Sequence, residues 1–244
     1  MKLATWNVNS IRAREERLLR WLGKHQPDVL CLQELKVTDD AFPHLALQAL
    51  GYHAAVHGQK TYNGVAVLSR PQPAEVERGF GDGGDDEQAR LVAARVDRVH
   101  VVSAYVPNGQ GVGSGKWAYK VEWLKRLRTW LDRRFAKTDL VALCGDFNVA
   151  PEARDVYAPA EWEPSVLFHP EARAALEHVR AWGFVDAFRL HNQAPGFYTW
   201  WDYRMLAFPK GRGLRIDRDE RKGKQPSDHA PVVVELRPSE ELSR

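Results

Sequence analysis

Seven short apolar runs, spread from one end of the chain to the other, limit what it can fold into. They cover residues 3–7, 29–33, 64–68, 91–96, 99–105, 140–144 and 231–236, each rich in Val or Leu and bounded by polar residues, Gly or Pro. Runs of this length and make-up read as buried β-strands. Helical patterns lie between them at 15–25, 116–135 and 170–182. In the second, Trp117, Val121, Leu124, Leu131 and Phe135 recur at helical spacing. Lys120, Lys125, Arg128 and Arg133 are read as falling off that stripe, which assigns them to a solvated face. Ser10 and the Pro170-Glu171 pair suit helix starts. The Gly-rich stretch GFGDGGDD, residues 79–86, lacks the Gly-Lys-Ser/Thr of a phosphate-binding loop and reads as a connection. No repeat, low-complexity linker or clean boundary interrupts the pattern. One αβ domain over residues 1–244, with a sheet core and outer helices, is the expectation.

Composition narrows the class. With 244 residues, 44% of them hydrophobic and 27% charged, the chain can bury a core, and disorder is excluded. Two cysteines, Cys31 in DVLCLQE and Cys144 in LVALCGDF, are too few for a disulfide scaffold or a cysteine zinc site and read as buried free thiols. The start, MKLATWNVNS, lacks the apolar region of a signal peptide, and no run approaches the roughly 20 apolar residues that span a bilayer. A cytoplasmic protein is expected. The net charge of +3 is compatible with a polyanionic partner without demanding one, and most of the 9 Trp are expected in the core.

The chemistry sits where strands end. LATWN closes on Asn7, DVLCLQ runs into Glu34, and LVALCG into Asp146 with Asn148 two residues on. Strands of one sheet deliver their ends to one rim, so these four side chains can converge. All offer hard oxygen, which suits Mg²⁺. Each alone is as easily a cap or turn residue. Asp228-His229 in PSDHAP precedes the last strand, PVVVEL, and sets an acid beside an imidazole; a Ser/Asp turn with a surface histidine is the plain alternative. Asp217 in GLRID is a further strand-end acid, able to fix the tautomer of His229. Tyr105 ends SAY, either to meet a ligand or as a half-buried strand tyrosine. No Gly-x-Ser-x-Gly elbow occurs and neither cysteine has a His nearby in sequence, so a Ser or Cys nucleophile is unsupported.

Eight motifs occur in order: WNVNSIRAR, QPDVLCLQELK, YNGVAVLSR, AYVPNG, GDFNVAP, FYTWWDYR, GLRID and PSDHAPV. Together they resemble the exodeoxyribonuclease III type of AP endonuclease, within the exonuclease–endonuclease–phosphatase superfamily. The resemblance covers nearly the whole chain. It implies a DNase I-like fold, a four-layered αβ sandwich of two facing mixed sheets flanked by helices. It also implies Mg²⁺-dependent hydrolysis of duplex DNA 5′ to abasic sites, with 3′-5′ exonuclease and 3′-phosphatase action on blocked ends, Mn²⁺ being able to substitute. Carried over by residue, Asn7 and Glu34 hold the metal. Asp146 orients or deprotonates the attacking water, and Asn148 steadies that water or the developing phosphorane. Tyr105 stabilises charge at the scissile phosphate. His229 binds a phosphate oxygen, oriented by Asp217, and Asp228 matches a second metal ligand. Trp200 and Leu214 wall the pocket for a flipped-out abasic sugar, while Asn9, Arg12, Lys36 and Asn108 lie along the DNA.

The chain departs from that pattern at one place. Only 10 residues, 218–227, separate Asp217 from Asp228, and RDERKGKQPS is wholly polar. Family members continue there into a buried strand and a helix, which take roughly 17 residues. Either the sequence omits a stretch, the preferred reading given the regular flanks, or a true deletion has removed a strand beside the rim and exposed apolar surface. Two other functions stay open: a phosphatase or phosphodiesterase of the same fold on a non-DNA substrate, and a DNA-binding module impaired by the short segment. WWDYR, QELK and the basic helix favour DNA over the former. The presence of every proposed catalytic side chain argues against the latter.

Overall fold

The computed structural model describes residues 1–84, 86–200, 214–215 and 226–236. Its first sheet has the order β11-β1-β2-β4-β3, built from β1 (Lys2–Asn7), β2 (Val29–Gln33), β3 (His53–His57), β4 (Val65–Ser69) and β11 (Val232–Glu235). The second has the order β5-β6-β7-β8, from β5 (Ala74–Arg78), β6 (Leu91–Val96), β7 (Val99–Tyr105) and β8 (Val141–Asp146). A two-stranded piece joins β9 (Tyr198–Trp200) to β10 (Leu214–Arg215). Six helices accompany them: α1 (Ile11–His25), α2 (His44–Gln48), α3 (Gly115–Arg134), α4 (Pro159–Trp162), α5 (Pro170–Arg180) and α6 (Ala187–His191). Both sheets are mixed, because β1 runs parallel to β2 and β7 parallel to β8 while their other neighbours are antiparallel.

The central strands β2 and β4 are buried along their whole length because both faces are covered. In β2, Val29 and Cys31 face the second sheet and pack with Val92, Ala94 and Val101. Leu30 and Leu32 point the other way, onto Leu18, Trp21 and Leu22 of α1. The second sheet repeats this arrangement, with Leu91, Ala93, Val102 and Ala104 under Trp123, Leu127 and Trp130 of α3 and Val179 of α5. The result is four layers, helix–sheet–sheet–helix, as the family resemblance implies. Trp6, Trp21, Trp117, Trp123, Trp130 and Trp182 are all buried, as expected of most of the tryptophans.

Most expected elements stand within a residue or two of their bounds, and the differences are instructive. Helix α1 starts at Ile11, four residues early. Ser10 makes no side-chain cap; instead the Ser10 and Ile11 amides donate to the carbonyls of Glu34 and Leu35. Strands β3 (HAAVH) and β5 (AEVER) are too short and polar to read as strands alone; pairing with β4 and β6 forms them. Two expectations are corrected. Lys120 is fully buried, not on a solvated face. It follows Trp117 by three residues and precedes Leu124 by four, so it lies on the apolar stripe itself. Cys31 is buried, but Cys144 is only half-buried, on a strand that has a neighbour on one side only among the described residues.

At its far end β8 presses hard on β7. A Cβ on Gly145 would stand 1.9 Å from the Ala104 carbonyl oxygen, at φ +150, so only glycine fits. Its other edge meets no strand among the described residues, and every residue of β8 is half-exposed. A cavity of about 1640 Å³ opens there, with Leu143, Leu176, Val179, Phe184, Val232 and Val234 in its wall. Asp217 and the rest of residues 216–225 lie outside the described residues.

Candidate active site

Two parallel strand pairs end at the same rim, and stacking of the sheets brings the two rims together. Asn7 closes β1, Glu34 follows β2, Tyr105 closes β7 and Asp146 closes β8. The buried Asn7 links them: its Nδ2 donates to Glu34 Oε1 and to Asp146 Oδ2, both at 2.8 Å. His229, arriving just before β11, sets Nε2 3.5 Å from the same Asp146 oxygen. Glu34, Asp146 and His229 each offer one ligand atom, all within 4.8 Å of one another. Lys36 Nζ lies 2.9 Å from Glu34 Oε2. Backbone strain gathers here, with left-handed φ at Asn9 (46°), Glu34 (54°), Lys36 (59°) and Asn148 (48°). Non-glycine residues keep such angles only when their surroundings hold them, and such residues cluster at functional sites.

The remaining sequence candidates form a ring around that centre. Tyr105 stacks under the Arg90 guanidinium at 4.7 Å. Burial raises its phenol well above the ordinary tyrosine value; Glu34 and Asp146 add to the rise and Arg90 opposes it. It is therefore a neutral hydrogen-bond donor at working pH. Asn148 donates its backbone N–H to Asp146 Oδ1 (3.0 Å) and its Nδ2 to the Val106 carbonyl (2.9 Å), and its Oδ1 accepts from Asn108 (3.2 Å). Asp228 stands apart from the Glu34–Asp146–His229 group. Its oxygens accept from Asn9 Nδ2 (2.9 Å) and Trp200 Nε1 (3.2 Å). Burial opposes its charge, yet His229, Asn9 and Trp200 together hold its carboxyl below the usual range. Lys36 Nζ donates to Asn9 Oδ1 at 2.5 Å. Trp200 is half-buried at the cavity, its ring 6.2 Å from that of Trp162, and pairs through its backbone with Leu214. Arg12 is exposed in the first turn of α1. Asp217, the expected partner of His229, lies outside the described residues.

Sequence reasoning missed Lys120. Its Nζ donates to the backbone carbonyls of Asn108 (3.1 Å), Asn148 (2.7 Å) and Val166 (2.6 Å). Burial pushes this ammonium down to about 7, and the charge of Asp146 pulls it back up.

The donor set suits a hard divalent cation: two carboxylates and a carboxamide at one point, with an imidazole at the margin and Cys144 two residues back along β8. In-line hydrolysis of a phosphodiester needs a base, such a cation and donors for equatorial charge, and the side chains gathered here are of the types that could serve as base, ligands and donors.

Residues 4–218 match the model of the endonuclease/exonuclease/phosphatase family. Exodeoxyribonuclease III of Haemophilus influenzae is 33% identical over 267 residues, spanning 97% of this chain and all of that protein. That alignment is longer than the 244 residues here, so the relative carries residues with no counterpart in this chain. The structure of an AP endonuclease from Archaeoglobus fulgidus superposes with a TM-score of 0.90 at 36% identity, covering 96% of this chain and 98% of the other. A 3′-phosphatase from Neisseria, bound to a product DNA hairpin, superposes with a TM-score of 0.91 at 38% identity, covering 97% and 99%.

Proposed function

The chain belongs to the endonuclease/exonuclease/phosphatase family and is a DNA-repair nuclease; from that premise we propose that it hydrolyses duplex DNA 5′ to abasic sites and trims blocked 3′ ends, using Mg²⁺ with Mn²⁺ able to substitute. The observation that carries this reading is the meeting of Asn7, Glu34, Asp146 and His229 from four separate chain segments. We read residues 1–244 as one catalytic domain working in the cytoplasm on double-stranded DNA. No helix among the described residues is long and apolar enough to cross a membrane.

Each residue then has a task. Asn7, Glu34 and Asp146 would hold the cation, with Asn148 and Asp228 as the wider candidate set; when bound, it neutralises charge on a phosphate oxygen. Asp146 takes the proton of the attacking water, flanked by the Asn7 amide and the His229 imidazole. Asn148 and the neutral Tyr105 donate to oxygens that gain charge, and His229 donates to a non-bridging phosphate oxygen. Asp217 orients His229 in this reading. Asn9, Arg12, Lys36 and Asn108 meet the phosphate backbone, which makes affinity fall with salt. Trp200 and Leu214 line the pocket for the extruded sugar. A missing base leaves little stacking to break, and selectivity follows from that lower cost.

The test is cleavage of a duplex oligonucleotide carrying one abasic-site analogue, with Mg²⁺ and with EDTA. Incision 5′ to the lesion, abolished by EDTA and restored by Mn²⁺, is expected. Binding without incision would favour the second reading, an impaired DNA-binding module, for which the lack of a second neighbour of β8 among the described residues is the specific support. Neither binding nor incision, with phosphate release from a small phosphate ester, would move the substrate away from DNA.

A further inference from the structure

Every polar group of Asn148 is engaged, and all but one of its partners lie at the end of β8 or in the loop that leaves β7. The exception is its carbonyl, which accepts from Lys120 on α3. That ammonium is fully buried, and its three acceptors come from three different loops, those of Asn108, Asn148 and Val166. An ammonium has three donors, so the set saturates it. The fit around its stem is close: a Cβ on Gly109 would lie 3.0 Å from Lys120 Cδ, and the Trp117 ring centre is 5.8 Å from Nζ. The twenty-residue α3 is a rigid base, whereas Asn148 sits in a left-handed conformation that its neighbours must hold.

We propose that Lys120 is a positioning residue for hydrolysis: it ties the Asn108 and Asn148 carbonyls to α3 and so sets the Asn148 amide against Asp146 and the scissile phosphate. The proposal rests on the nuclease reading above. It differs from a general stabilising role because the effect of Lys120 on the reaction runs through Asn148. Its removal lets the loop drift, and displacement by about 1 Å at a reacting centre can cost on the order of 100-fold.

A double-mutant cycle on the abasic duplex tests it, with wild type, Lys120→Met, Asn148→Ala and the double variant compared by kcat and KM. Lys120→Met should lower kcat roughly 10- to 100-fold with little change in KM, and should cost less than about threefold once Asn148 is already Ala. Full additivity, an unchanged rate, or a loss confined to KM would overturn the role. If Lys120→Met does not fold, Lys120→Arg goes through the same cycle. Failure of both to fold makes Lys120 a structural residue and removes the proposal. A wild type that does not incise removes the nuclease reading itself. An active wild type with an equally active Lys120→Met removes only the role of Lys120.

Discussion

Strands β2 and β8 are near counterparts in opposite sheets. Each carries a cysteine that packs between the sheets, Cys31 and Cys144, and each delivers a carboxylate to the rim, Glu34 and Asp146. Their surroundings differ. Strand β2 pairs on both edges and every residue is buried; among the described residues β8 pairs only with β7, and none of its residues is fully buried. Even so, the two carboxylates meet on one Asn7 amide at equal distance. Site geometry here depends on the rim and on the loop behind it, which Lys120 and Gly145 hold, more than on how well each strand's flank is covered. The flank governs stability instead.

The strongest challenge to that division is catalytic. Glu34→Gln and Asp146→Asn should each lower incision of the abasic duplex by roughly 10²–10⁴-fold, with no bias toward the covered strand. A loss at Glu34 alone would mean that the open flank already leaves Asp146 outside the chemistry. Core truncation tests the other half. Leu32→Ala, on the covered strand, should cost about 2–5 kcal/mol of unfolding free energy in urea. Leu143→Ala, beside the cavity, should cost clearly less, about 1–2 kcal/mol, because this side chain is only half-buried. Equal costs would show that the flank of β8 is filled in solution.

The thiols give a third, smaller contrast. Cys31 is fully buried, and its hydrogen bond with Cys144 and its burial both push its pKa up, which suppresses the thiolate. Cys144 lines the cavity. One equivalent of iodoacetamide should therefore react with the native protein, at Cys144, and a second only in denaturant. Reaction at Cys31 first would reverse the reading of which strand is covered.

Much of this was legible in the sequence, because strand ends are marked by an abrupt change from Val and Leu to Asn, Glu or Asp. Asn7, Glu34 and Asp146 could be placed at one rim on that basis alone, and the eight motifs carried the fold. Lys120 was not legible, since a lysine on an apolar stripe looks like a lysine beside it; only the three loop carbonyls, remote in sequence, explain its burial. Strands β3 and β5 were hidden for a related reason, that their order comes from partners. The short stretch after Asp217 was visible as a shortage of residues, and it lies outside the described residues.

The two edges of the second sheet provide the finest comparison. At the β5 edge α3 applies a set of ion pairs: Arg134 reaches Glu75 and Glu77, and Arg126 reaches Asp82 and Asp86, each at 2.9 Å. Charge at an edge strand blocks further pairing, and the described residues provide nothing comparable along β8. The Arg126 hydrogen bond, against a small opposing effect of burial, draws the Asp82 carboxyl down to about 2. A carboxyl whose folded value lies below its unfolded value of roughly 3.9 stabilises the protein fully above that pH, and loses the contribution as pH falls toward about 2. The pair is partly exposed, so the effect is small. Asp82→Asn should lower Tm slightly at pH 6, and the gap from wild type should close as pH drops from about 4 toward 2, where wild type also loses the charge. A gap that stays constant down to pH 2.5 would mean that the Asp82 side chain acts through its turn hydrogen bond to the Gly84 amide, 3.1 Å away, and that the charged clasp contributes nothing to closing the β5 edge.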